Sequence, residues 1–138
     1  FNKDAHLLSD LSLRELVENN FVIVQSNATL RSLTEAVAQS SRNILPIVDD
    51  GGKLVGIIAL ENIREVMFNA SLYDTVRVDQ LMQKPSVMAD VTDDMASIME
   101  KFDKTGVWNI PVLEEGKYVG FISKSRVFSN YRDRLKND

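Results

Sequence analysis

The sequence predicts an α+β fold of two related modules in tandem, and three observations predict it. An internal repeat runs through the chain, each copy shows the same order of strand and helix periodicities, and the gap between copies falls in a turn. Leu16/Leu81, Val22/Val87, Ser32/Ser97, Glu35/Glu100, Pro46/Pro111 and Gly51/Gly116 are identical pairs 65 residues apart. One residue is then lost, and Lys53/Lys117, Val55/Val119, Gly56/Gly120 and Ile58/Ile122 continue at a spacing of 64. The loss lies where Asp49-Asp50-Gly51-Gly52 faces Glu114-Glu115-Gly116. Turns tolerate insertion and strands do not, so this placement favours a true repeat.

Each copy reads strand, helix, strand, strand, helix. In the first, Phe21-Val22-Ile23-Val24 is a short β-branched run, and Leu30, Leu33 and Val37 recur at helical spacing behind an N-cap at Asn27 or Thr29. Ile44 to Val48, the Asp-Asp-Gly-Gly turn and Leu54 to Leu60 read as a hairpin. Ile63, Val66 and Met67 lie on a closing helix. The second copy places Met95, Ile98, Met99 and Phe102 on a helix face, then strands Ile110 to Leu113 and Tyr118 to Ser123, then a helix with Val127, Phe128 and Tyr131. The predicted division is an amphipathic helix within residues 1–18 (Leu7, Leu8, Leu11, Leu16), a module at 19–68, a linker at 69–75 and a module at 76–138. One module of about 55 residues buries only a marginal core. Two related by a pseudo-twofold axis are expected to pack their sheets together, with a ligand cleft between the modules.

Composition excludes much chemistry. The 138 residues carry a net charge of −4, which disfavours a nucleic-acid partner. Apolar residues make up 44% and charged residues 26%, the balance of a folded domain. With no cysteine and one histidine, His6, there is no thiolate or multi-histidine metal site and no cysteine nucleophile. No acid/base pair stands out by spacing, so no catalytic residue and no enzyme activity are expected. The longest apolar run, Leu54 to Leu60, has strand length rather than membrane-spanning length. The start at Phe1, without a signal pattern, reads as a piece cut from a longer protein.

The paired phrases "NILPIVDDGGKLVGIIALENI" and "WNIPVLEEGKYVGFISKSRV" resemble the CBS domain, here as a tandem pair, over about 120 residues. The carriers are the Pro-hydrophobic strand (Pro46, Pro111), the glycine turn, and the hydrophobic-Gly-hydrophobic-hydrophobic strand ending at Ala59 or Ser123. More narrowly, "SSRNILPIVD", "IREVMFNASLYDTV", "KTGVWNIPV" and "GFISKSRVFSNYRDRL" resemble the cytoplasmic tail of bacterial ClC-type chloride channels and transporters. That likeness implies a non-enzymatic regulatory or dimerisation domain, cytoplasmic in an integral membrane protein. It also implies a homodimer formed through the modules and a transmembrane domain on the same polypeptide. The alternatives are a regulatory module of a magnesium or cobalt efflux protein or a metabolic enzyme, or a ligand-free dimer brace.

The resemblance further implies a regulatory adenine ligand: ATP, ADP, AMP or adenosine. In nucleotide-binding members the third strand ends Gly-hydrophobic-hydrophobic-Ser/Thr-x-x-Asp, with the hydroxyl on phosphate and the Asp on ribose. The matching positions are Val22, Asn43, Ile44, Pro46, Ala59 and Asn62 in the first copy, and Val87, Trp108, Asn109, Pro111, Ser123 and Arg126 in the second. The pattern departs twice. Ala59 lacks the hydroxyl and Asn62 the carboxylate, whereas Ser123 keeps the hydroxyl and Arg126 reverses the charge. Arg126 and Lys124 suit phosphate oxygens instead.

Structural roles compete with several of these. Trp108 offers a stacking face for a base, although a lone tryptophan more commonly fills packing space. Arg42 reads as a phosphate contact or a solvated loop residue. Asp49-Asp50, Asp93-Asp94 and Glu114-Glu115 fit turn and helix-start preferences rather than a metal. Arg132, Arg134 and Lys136 suit a helix C-terminus, and Met82, Met88, Met95 and Met99 suit a core.

Overall fold

The structure, a computed structural model, describes residues 12–137. His6 and the earlier part of the expected first helix, with Leu7, Leu8 and Leu11, lie outside the described residues. The architecture is α+β, with two three-stranded sheets divided between two compact units. The first unit comprises residues 20–85 and 116–118. The second comprises, among the described residues, 12–19, 86–115 and 119–137.

In the first unit β1 (Val24–Gln25) runs parallel to β2 (Ile44–Val48), which pairs antiparallel with β3 (Leu54–Ala59). Helix α2 (Leu30–Gln39) makes the crossover, and the Thr29 hydroxyl oxygen caps it by accepting from the Ser32 N–H at 3.2 Å. Leu30, Leu33, Leu45, Ile47, Ile58 and Ile63 close the core. The hairpin turns because Asp49 Oδ1 accepts from the N–H groups of Gly51 and Lys53, while Gly52 takes φ +84°. A 3₁₀ turn at Leu60–Asn62 leads into a short α3 (Arg64–Met67), where the closing helix was expected.

Residues 69–75, expected as a linker, are folded into this unit. Leu72, Tyr73, Val76 and Val78 pack on its core, and the Leu30 N–H donates to Val76 O at 2.8 Å. The Arg31 guanidinium grips Asp74 with two 2.9 Å bonds and also lies over the Tyr73 ring.

The second unit repeats the plan. A short α1 (Leu13–Leu16) buries Leu13 and Leu16 in the same core as Ile98, Phe102, Ile110 and Ile122. β4 (Ala89–Asp90) runs parallel to β5 (Asn109–Glu114), with β6 (Lys117–Ser123) on the other side of β5. Helix α4 (Met95–Thr105) is capped by Asp94, which accepts from the Ser97 N–H at 2.8 Å, and it ends on left-handed Gly106. Helix α5 (Lys124–Asn137) buries Val127. Phe128 is 38% exposed, because the next residue round a helix turns about 100° away from its neighbour.

Both first strands are shorter than the periodicity predicts, and for one reason. Pairing starts at Val24↔Ile47 in one unit and at Ala89↔Val112 in the other. The preceding partner would be Pro46 or Pro111, which has no N–H to give a neighbouring strand. Ile23 and Met88, the residues left beyond the pairing, are exposed.

Each third strand is covered on its open edge by a segment that precedes a repeat. In the first unit Gln83 exchanges two backbone hydrogen bonds with Ile57, at 2.8 and 2.9 Å. In the second, Glu18 does the same with Phe121, again at 2.8 and 2.9 Å. These bridges occupy equivalent positions of the repeat. The contacts are close enough to demand glycine: a Cβ on Gly56 would lie 2.7 Å from the Met82 sulfur, and one on Gly120 would lie 2.5 Å from the Glu18 carbonyl oxygen.

Two predictions follow from the packing. Gly120→Ala meets rigid backbone and is expected to lose about 2–3 kcal/mol in urea unfolding, whereas Gly56→Ala meets a flexible thioether and is expected to lose about 1 kcal/mol. Equal losses would show that the Glu18 carbonyl yields as easily as a methionine side chain. The second concerns acid. Hydrogen bonds from Arg31, from the Thr92 backbone N–H, from Lys104 and from Arg14 hold Asp74, Asp90, Glu100 and Glu114 respectively below the usual carboxylate range. Their stabilisation is present above the unfolded pKa, roughly 4, and is lost as pH falls through the lower folded values. Calorimetric Tm is expected to fall as pH drops from about 5 to about 3. Asp90→Asn is expected to make that fall shallower.

Candidate functional site

The repeat brings equivalent residues to the same end of each sheet, beside the start of the helix that follows the third strand. In the first unit Ile44 and Ala59 are cross-strand partners at the mouth of the hairpin, and the Asn43 carbonyl accepts from the Leu60 N–H at 3.0 Å. Pro46 is buried behind them, Val22 is half-buried, and Asn43 and Asn62 are exposed. Ala59 gives the following 3₁₀ turn no side-chain cap. Arg42 is half-buried, and its guanidinium lies 4.4 Å over the Phe21 ring and donates to Asn20 Oδ1 at 2.8 Å.

In the second unit the Trp108 carbonyl plays the part of Asn43, accepting from the Lys124 N–H at 2.9 Å. Asn109 and Val87 are half-buried and Pro111 is buried. The Ser123 hydroxyl oxygen accepts from the Arg126 N–H at 3.1 Å and so caps the 14-residue α5. Its hydrogen is left to donate. Longer and capped, α5 presents a fuller dipole than the first unit's short turn. Trp108 is 68% exposed and so fills no core in this chain. The Lys124 ammonium stands 5.3 Å from the Trp108 ring centre and 5.9 Å from that of Phe128, within cation–π range of both. Arg126 reaches back 3.5 Å to Glu18.

The second unit therefore combines a hydroxyl, two cationic side chains, a helix N-terminus and an exposed aromatic face. This is chemistry suited to an anionic, base-bearing ligand. The first unit offers amide and apolar groups alone at the matching positions. Glu18 and Gln83 were missed because the sequence reading ended the first helix at residue 18. The repeat signal was nevertheless present: two residues beyond the Leu16/Leu81 pair it aligns Glu18 with Gln83. Among the described residues no cluster of three or more metal-ligating groups occurs, and no helix is long and apolar enough to cross a membrane.

The model of the CBS domain family matches residues 13–69 and 78–133, and the chain belongs to that family as a tandem pair. Such pairs are regulatory modules. Over 92% of its length the chain is 20% identical to a homoserine O-acetyltransferase of Methanosphaera stadtmanae. Over 98% it is 24% identical to the chloride channel protein CLC-f of Arabidopsis thaliana. It spans 25% and 20% of those relatives. Among solved structures, the CBS domain of the bacterial CNNM/CorC family Mg2+ transporter in complex with ATP superposes with a TM-score of 0.78 at 16% identity, covering 94% of this chain and 92% of that one. The CBS domain of a CBS-domain-containing membrane protein from Sphaerobacter thermophilus gives 0.72 at 21% identity, covering 91% of each.

The cap yields a prediction. Ser123→Ala removes the acceptor for the Arg126 N–H and is expected to cost about 1 kcal/mol of stability without ligand. An unchanged urea midpoint would show that water or a neighbouring group caps α5 equally well.

Proposed function

We propose that this chain is the cytoplasmic regulatory module of a ClC-type chloride channel or transporter, and that it binds an adenine nucleotide. The observation that carries the nucleotide reading is the start of α5, where Ser123, Lys124 and Arg126 gather donors and positive charge beside the exposed Trp108 indole. Phosphates meet the helix N-terminus and the cationic side chains, and the flat base meets the indole and the half-buried Val87 and Asn109. The first unit keeps an equivalent apolar slot at Val22, Ile44, Pro46 and Ala59. Asn62 is its neutral partner for a sugar hydroxyl.

The channel assignment rests on the likeness to the plant chloride channel across nearly the whole chain, together with the ClC-like phrases around both hairpins. In this reading the chain acts as a homodimer through its modules, and a transmembrane domain on the same polypeptide receives the signal. A nucleotide regulates only by favouring one packing arrangement over another, so the effect on transport equals its differential affinity for the two. A second reading, a brace without ligand, is favoured by one observation: Ala59 and Arg126 replace the hydroxyl and the carboxylate that nucleotide-binding relatives use.

Thermal unfolding with ATP, ADP, AMP and adenosine separates the two. Ligand at a hundredfold over Kd is expected to add about 2.7 kcal/mol, a Tm rise of several degrees. Because Trp108 is the sole tryptophan, its fluorescence is expected to change in step with that rise. No shift and no fluorescence change at millimolar nucleotide would overturn the sensor reading and leave the brace.

A further inference from the structure

We infer that Glu18 is a built-in counter-ion that competes with ligand phosphate for Arg126, so that the second unit's site holds phosphates less tightly than its positive charge would allow. The inference rests on the nucleotide reading above and names the group that opposes phosphate at that site.

The two units supply the comparison. Glu18 and Arg126 occupy the repeat positions of Gln83 and Asn62, so one unit holds an acid and a base where the other holds two amides. In both, the segment is fixed to the third strand by its backbone, with Glu18 giving and taking hydrogen bonds with Phe121 at 2.8 and 2.9 Å. The Glu18 carboxylate can therefore let go of Arg126 while its own backbone stays in place. The pair is long, at 3.5 Å, and lopsided: the Arg126 side chain is 47% exposed and that of Glu18 17%. A loose ion pair of this kind contributes little to stability. Arg126 nevertheless belongs to the first turn of α5, its own N–H bonded to the Ser123 hydroxyl oxygen, whose hydrogen is available to a ligand.

A phosphate arriving at Ser123 and Lys124 competes with Glu18 for the same guanidinium. A triphosphate, with more charge and more oxygens, competes better than a monophosphate, and adenosine does not compete at all. Glu18 thus costs each phosphate ligand part of the attraction of Arg126, most for the ligand that captures the guanidinium fully, and leaves adenosine unaffected.

Calorimetric titration of the 138-residue chain with ATP, AMP and adenosine tests this in Glu18→Gln, Arg126→Gln and the double variant. Glu18→Gln keeps the backbone bridge and the side-chain shape. It is expected to tighten ATP about three- to tenfold and AMP less, with the gain gone in the Arg126→Gln background. Binding of ATP to Glu18→Gln alone, with none to the natural chain, supports the inference equally. Unchanged or weaker ATP binding in Glu18→Gln overturns the counter-ion role and leaves the nucleotide reading standing. So does a gain of the same size for adenosine. No binding of any ligand to any variant overturns the nucleotide reading, and the inference with it. Tm values of the four proteins without ligand show whether a loss of binding is a loss of folding.

Discussion

The close approach of a backbone segment to a side-chain-free position on each third strand is the constraint on which the rest depends. Gly56 and Gly120 sit at equivalent places in the repeat, and each leaves room that the segment ending at Gln83 or Glu18 occupies. Once that segment is seated, the N–H and C=O of Ile57 or Phe121 on the outer edge are satisfied, and the strand edge is interrupted there against open pairing. A glycine in a strand is ordinarily a weakness; here it is a seat.

On this common sheet plan the two units diverge after the third strand. The carbonyl of Asn43 or Trp108 holds the first N–H after the third strand in both. Beyond that bond, one unit continues into a 3₁₀ turn and a helix of four residues, the other into a capped helix of fourteen. The difference traces to a hydroxyl at Ser123 and the longer run of helix-compatible residues after it. Dipole, cap and positive charge therefore accumulate at one site and not at the other. The two units share a strand order and differ in charge at the start of the closing helix.

How far this was legible in the sequence depended on whether a feature repeats. Ile44–Val48 was read to the residue, and the Gly turn, the Thr29 cap and the two long helices were also visible, because pattern and propensity agree there. The first strands were read too long, since β-branched composition at Phe21 to Val24 says nothing of whether a partner strand has an N–H to offer. The helix after the first hairpin was legible from Ile63, Val66 and Met67, but that spacing does not reveal the 3₁₀ turn ahead of it or that no side chain caps it. Residues 69–75 looked like a linker by composition, but long-range bonds from Leu30 and Arg31 hold them, and such bonds leave no local trace. At the site, the side chains were identifiable by position, whereas the Lys124–Trp108 contact and the Glu18–Arg126 pair require the fold to bring distant positions together.

The covering of Gly120 by Glu18 also bears on the order in which the chain assembles. The strand that needs this cover is made about a hundred residues after the segment that supplies it, a long loop to close before any reward is gained. The other cover closes within one repeat, Ile57 to Gln83, and is available as soon as that stretch has left the ribosome. The unit containing α2 is thus free to fold early. Its counterpart waits, with residues 12–19 already synthesised and unpaired, until its last strand arrives. Contacts of this span belong to the slow end of folding, and the interval in which the β6 edge stands open is when this protein is most exposed to pairing with the wrong strand.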